Sequence, residues 1–282
     1  MTTFALKMIA YGSMLVDHIT ACVFDVAHLV PSTPGTEVLY QILRGVGRLA
    51  FPIFCFLLIQ GTIHTHSKPR YALRIGIFAL LSEVPFNLAL RGTFLQWKPA
   101  DIDFSALFQF RSDTLEAWNS IFAGTNQNVD FTLLFGLLAV FALLRFSRWA
   151  KEKRFFGYLL ALVIAGLMAL LAGFFKTDYG IAGVVQIAVF GILALPLDEI
   201  VPGLSGNRWF RGIVIAGGIL ACCATANSSF ELIALTSVPF IMLYNGKEGP
   251  KNHLTKWGCY LFYPVHLAAI GCIFVLPGML GH

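Results

Sequence analysis

Charge is scarce in this sequence. Asp, Glu, Lys and Arg make up 12% of its 282 residues, against about 25% in soluble globular domains. Hydrophobic residues reach 57%, and the mean hydropathy is +0.74. A deficit this large exceeds what a buried soluble core explains, and it points to a membrane-embedded chain. The motifs of soluble nucleotide chemistry are missing as well. There is no Walker motif, no Gly-rich dinucleotide loop and no Gly-x-Ser-x-Gly elbow, which excludes ATPase or dehydrogenase chemistry within this chain. The six cysteines (Cys22, Cys55, Cys222, Cys223, Cys259 and Cys272) form no Cys-x-x-Cys pair and lack metal-ligand spacing. We therefore expect neither a metal site nor a disulfide framework. The net charge of +5 comes without a basic stripe or interleaved aromatics, so no nucleic-acid partner is expected.

What the sequence does have is long apolar stretches. A helix needs about 20 residues to cross the hydrocarbon core. Nine stretches qualify, near residues 4–24, 43–63, 71–90, 129–150, 155–175, 179–197, 210–226, 230–244 and 256–276. A tenth helix within 104–118 would lie on the surface or re-enter. The expected fold class is thus an all-α polytopic membrane protein, a bundle of about nine transmembrane helices. The polar stretch 91–128 is too short and broken to fold by itself, so it is read as an extracytoplasmic loop of a single domain spanning 1–282. The first apolar stretch resembles a secretory signal, and Ile19-Thr20-Ala21-Cys22 resembles a lipoprotein box. Asp17-His18 inside it and a lone Lys7 before it argue against cleavage.

Lys and Arg accumulate in alternate loops: Lys68, Arg70 and Arg74; Arg145, Arg148, Lys151, Lys153 and Arg154; Arg208 and Arg211; Lys247, Lys251 and Lys256. The positive-inside rule makes these loops cytoplasmic, with the N-terminus inside and the C-terminus outside. No internal repeat of the kind found in many secondary transporters is visible.

Ionisable residues inside the apolar stretches are costly and mark functional sites. Asp17 and His18 interrupt the first stretch, Arg48 the second and Glu83 the third. At about 1.5 Å per residue, His18, Arg48 and Glu83 lie about 9, 8 and 10 Å from the outer ends of their helices, one common level. Neighbouring side chains on a helix diverge by about 100°, so Asp17 is unsuited to orienting His18, and a carboxylate from another helix, such as Glu83, would do so better. Asp17 is expected to pair with Arg44 or Arg48, which share a helix face. His18 is either a proton acceptor suited to an amine or hydroxyl or a core histidine satisfied by a helix neighbour. His266, mid-span in the last stretch, either assists binding with Tyr263 or hydrogen-bonds a carbonyl freed by Pro264. Asn87, Asn128, Asp178 and Tyr179, near outer helix ends, either line an acceptor site or cap helices. His64 and His66 read as part of a solvated basic loop.

Six stretches then carry a family resemblance: Leu6-Lys7-Met8-Ile9-Ala10, Asp17-His18-Ile19, Arg44-Gly45-Val46-Gly47-Arg48-Leu49-Ala50-Phe51-Pro52-Ile53-Phe54, Ser82-Glu83-Val84-Pro85-Phe86-Asn87, Asn128-Val129-Asp130-Phe131-Thr132-Leu133 and Tyr260-Leu261-Phe262-Tyr263-Pro264-Val265-His266-Leu267. Together, and in this order, they resemble the TraX family, membrane proteins named for the acetylase of conjugative F pilin. That family is in turn distantly similar to transmembrane acyltransferases such as heparan-α-glucosaminide N-acetyltransferase, in which an Asp-His pair precedes a Phe-Pro-x-Phe helix. The resemblance implies an acetyltransferase in the inner membrane of a bacterium, with acetyl-CoA arriving from the cytoplasm. His18 would be base or acetyl carrier, helped by Asp17, Arg48 and Glu83. Basic residues such as Arg70, Arg74, Lys151 and Arg154 would hold the phosphates of acetyl-CoA. Arg44, Asn87, Asn128, Asp178, Tyr179, Tyr263 and His266 would line the site of an amine or hydroxyl acceptor, a pilin-like peptide or a glycan. The principal alternative is a proton-coupled transporter using Asp17, His18, Arg48 and Glu83 as a relay. A non-catalytic scaffold would have no need of buried charge at matched depths.

Overall fold

A computed structural model describes residues 1–93, 126–149, 153–199, 201–250 and 253–280. Each of the nine apolar stretches is helical. Seven helices among the described residues are long and apolar enough to cross a membrane, and two shorter ones, Gly180–Ala194 and Ser229–Met242, complete the set. The stretch 104–118, Lys151 and most of the 91–128 loop lie outside the described residues.

Local signals set the helix ends. Helix α1 (Thr3–Ala21) starts where the Thr2 side chain accepts from the Ala5 N–H, and it runs on through a π-helical turn, Cys22–Val26. Helix α2 (Pro34–Gly47) is opened by a reciprocal Thr33–Thr36 capping box and a proline in its first turn. These signals start the helix well before the apolar stretch at 43, so the second span is longer than expected. Arg48 and Leu49 interrupt it before α3 (Ala50–His64). Helix α4 (Lys68–Arg91) contains Pro85 and stops at Gly92 in the left-handed region. Helices α5 (Val129–Phe146) and α6 (Arg154–Phe174) follow. Next is α7 (Gly180–Phe190), extended by a 3₁₀ turn to Ala194. Helix α8 (Arg208–Ala226) ends at Asn227, also left-handed. A 3₁₀ run over Ser229–Ser237 leads into the short α9 (Val238–Met242). Helix α10 (His253–Ile270) continues through a π turn into α11 (Leu276–Leu280).

The basic helix ends gather at one end of the bundle. Thr3 N–H donates to the Lys247 carbonyl at 2.9 Å, and Phe4 N–H to that of Glu248 at 3.0 Å. Arg211 reaches the Tyr244 carbonyl at 2.9 Å, and Lys68 sits 5.6 Å above the Phe141 ring. At the opposite end, Gln127 N–H donates to the Lys176 carbonyl at 3.0 Å.

Helix α3 is the central element. Ile53, Phe56 and Ile59 are fully buried and join Leu6, Leu137, Ile187 and Ile219 in one core. A second core joins Met14 of α1 to Phe86 and Leu88 of α4 and Leu267 of α10. Helix α6 lies at the periphery, with Leu162 67% and Leu170 64% exposed. Such exposed aliphatic surface suits contact with lipid. Helix α1 touches both cores, and the surface between them is where polar residues collect.

Candidate functional site

A cavity of about 1200 Å³ runs between the two cores. One stripe of α1 and the π turn that follows it lines the cavity: Thr3, Lys7, Tyr11, Met14, His18 and Asp25, at spacings of three, four or seven residues. From Thr3 to Asp25 is 22 residues, about 33 Å at 1.5 Å per residue, the thickness of a hydrocarbon core. At the basic end its wall includes Lys7, His64 and Arg74; further along come Asp17, Arg44, Arg48, Asp178 and Glu231.

His18 is buried and faces this cavity. Its Nδ1 lies 2.8 Å from Nε2 of His266. The two rings are parallel to within 4° with centroids 5.1 Å apart, so they meet edge to edge in one plane. Nδ1 of His266 lies 2.7 Å from the Phe262 carbonyl. Nε2 of His18 has no hydrogen-bond partner among the described residues. Two expectations are thereby corrected. Glu83 does not orient His18; another imidazole does. The carbonyl that His266 engages is that of Phe262, four residues back, whereas Pro264 frees that of Tyr260.

Asp17, one residue from His18, points elsewhere. Its carboxylate takes Nη1 of Arg44 at 2.8 Å. The close approach of α1 to α2 requires glycine: a Cβ on Gly47 would lie 2.3 Å from the Asp17 carboxylate. Arg48, one turn beyond Arg44, pairs instead with Glu231 through Nε at 3.2 Å, and its Nη1 donates to the Tyr179 hydroxyl at 3.4 Å. Tyr179 stacks on Phe51 of α3 with centroids 3.7 Å apart. Gly183 makes room for that stack, since a Cβ there would lie 2.5 Å from Tyr179 and 2.6 Å from Thr132. Asp178, next to Tyr179, is exposed and lines the cavity. Burial in the bundle pushes its carboxyl up from the usual range, and Arg48, Arg91 and Arg44 oppose the shift. Tyr263 is buried, lines the cavity, and holds its ring 6.1 Å from that of His18.

Glu83 belongs to a separate cluster. Its carboxylate accepts from the Asn87 amide at 3.2 Å, the Asn128 amide at 2.6 Å and the Asn128 N–H at 3.3 Å. Asn128 also donates to the Ala79 carbonyl at 2.8 Å and caps α5 by accepting from Asp130 N–H at 3.0 Å. None of the three lines the cavity. Of the expected phosphate-binding residues, Arg74 lines the cavity, while Arg70 is exposed in a small surface hollow shared with His66 and Arg74. Arg154 opens α6 at the basic end of the bundle.

Sequence reasoning missed Glu231, the partner of Arg48, and Asp130, which lines the cavity. A carboxylate two residues into an apolar segment was a signal for Glu231, masked by the polar Asn227-Ser228-Ser229 turn beside it. Asp130 lies within one of the quoted motifs, yet reads locally as a first-turn acid of α5.

Comparison with known proteins places these residues in a family. No solved structure matches the chain. A protein from Dichelobacter nodosus described as "Probable fimbrial assembly protein FimC, serogroup H1" is 26% identical over 277 residues, covering 95% of this chain and 94% of the relative. The family model described as TraX protein matches residues 3–274. With the match running from the first turn of α1 to the π turn after α10, this chain belongs to the TraX family.

Proposed function

We propose that this protein is a membrane-embedded acetyltransferase. It takes acetyl-CoA at the basic end of the cavity and delivers the acetyl group to an amine or hydroxyl acceptor reached from the opposite end. One observation carries this reading: a cavity lined by about a bilayer's thickness of helix, with an imidazole nitrogen on its wall that has no hydrogen-bond partner among the described residues. The sequence relation to a fimbrial assembly protein supports an acceptor among surface-appendage subunits. The clustering of Lys and Arg at the basic end supports a cytoplasmic donor side.

The chemistry follows from the wall. Lys7 and Arg74 supply positive charge for the phosphates of the donor. Nε2 of His18 takes the proton from the acceptor's N–H or O–H as that atom attacks the thioester carbonyl. The C–S bond then breaks, and the departing thiolate recovers the proton from the His18 imidazolium. The Arg44 and Arg48 guanidiniums, fixed by Asp17 and Glu231, favour negative charge developing on the carbonyl oxygen. Transfer through an acetyl-imidazole on the same nitrogen uses the same geometry.

The test is release of free CoA thiol from acetyl-CoA by the purified protein when an amine acceptor is supplied. Release that His18→Ala abolishes in a folded protein supports the reading. Such a cavity also suits a proton-coupled transporter. Absence of both acetyl-CoA binding and thiol release, with solute flux in proteoliposomes, would decide for transport.

A further inference from the structure

His266 lies behind His18, outside the cavity wall. Its two nitrogens are both engaged, and the identity of one partner fixes the whole chain of protons. The Phe262 carbonyl accepts and never donates, so Nδ1 of His266 carries a hydrogen. In a neutral imidazole the other nitrogen is then a bare acceptor. Nε2 of His266 therefore requires a hydrogen from Nδ1 of His18, 2.8 Å away. The same rule applied to His18 leaves its Nε2 as the bare nitrogen, the one without a partner among the described residues. The coplanarity of the rings puts that N–H directly along the lone pair of the acceptor.

We infer that His266 is a positioning residue that sets the tautomer of His18, presenting an unprotonated Nε2 to the cavity. A main-chain carbonyl and a second imidazole thus take the place that a carboxylate holds in a Ser-His-Asp triad. The arrangement introduces no negative charge behind the base, which suits a site inside an apolar bundle. When Nε2 takes a proton, Nδ1–H still donates to the neutral His266, so the imidazolium keeps this hydrogen bond, now charge-assisted, without meeting a like charge. Phe262 and Tyr11 brace this arrangement. The Phe262 ring packs 4.7 Å from that of His266 and 4.4 Å from that of Tyr11, and the Tyr11 hydroxyl donates to the Cys259 carbonyl at 2.7 Å.

The catalytic part of this inference rests on the acetyltransferase reading; the tautomer does not. The experiment therefore has two arms on the full-length protein. In the first, nitrogen-15 spectra of histidine-labelled protein without substrate are compared with those of His18→Ala and His266→Ala to assign the signals. We expect His18 to be protonated at Nδ1 and bare at Nε2, and His266→Ala to abolish that preference. In the second, thiol release is measured for His266→Ala, His266→Phe and His266→Gln. The first two should lose kcat about 100-fold, in the range typical of acid–base assistance, with the KM for acetyl-CoA unchanged. His266→Gln, whose side-chain oxygen can accept from Nδ1–H, should recover most of kcat. A His18 protonated at Nε2 in the parent protein overturns the inference. So does full kcat in His266→Ala, or a folded His266→Gln as slow as His266→Ala. If the parent protein releases no thiol, the acetyltransferase reading fails while the spectra still decide the tautomer.

Discussion

Two polar clusters lie inside this bundle, and they differ in one respect. Around Glu83, the hydrogen bonds among the described residues turn inward: two asparagines and a main-chain N–H converge on one carboxylate that does not line the cavity. Around His18, Arg44 and Arg48, the ion pairs and the His18 imidazole form part of a cavity wall, and one nitrogen of His18 has no partner among the described residues. Both clusters place ionisable residues mid-span in family motifs. A buried charge within lipid depth signals that something holds it there; whether that something is a structural clamp or a reactive surface depends on what remains unsatisfied.

Substitutions can break this contrast. The largest effect is expected from His18→Ala, a loss of about 1000-fold or more in thiol release, equivalent to about 4 kcal/mol of barrier, with the folded protein retained by size-exclusion chromatography. Glu83→Ala should act on stability instead. It strands one hydrogen of the Asn128 amide and the Asn128 N–H, which costs about 2–3 kcal/mol and lowers the melting temperature in detergent. Turnover per folded molecule should stay unchanged, and a matched fall in turnover would erase the distinction between the clusters. Glu231→Gln removes the charge opposite Arg48 while keeping an acceptor oxygen. It should lower kcat about tenfold, or about 1.4 kcal/mol of barrier, and a double-mutant cycle with Arg48→Gln should show coupling of about 1 kcal/mol. The smallest effects concern the basic end. Arg74→Ala should raise the KM for acetyl-CoA about fivefold through loss of one charge-assisted contact, whereas Arg70→Ala, exposed and outside the cavity, should change it less than about twofold.

The site was partly legible before the fold was known. Asp17, His18 and Arg48 stood out because ionisable residues seldom survive in apolar runs, and the divergence of Asp17 from His18 followed from helix geometry alone. The pairing of Asp17 with Arg44, one of two choices offered by their shared face, came out as expected. Reading depth along separate helices misled for Glu83: it lies at a level similar to His18 but in a different cluster, because equal depth says nothing about which way a helix is turned. His266 was recognised as a candidate without its partner. Glu231 escaped notice because it lies near the end of a short segment, where a carboxylate reads as interfacial. Asn87 and Asn128, expected either to line a site or to cap, are donors that satisfy Glu83, and Asn128 also caps its helix as one of the two readings had it.

Composition, apolar length and the spacing of basic residues were enough to establish a helical membrane protein, and capping residues marked where several helices start. Those are local properties, set by hydrophobicity and by hydrogen bonds between residues three or four apart. Which charges pair and which nitrogen is left bare depended on tertiary structure, since His18 and His266 are separated by 248 residues. Helix periodicity fixes the direction of a side chain relative to its own helix; only the packing of one helix against another supplies the partner.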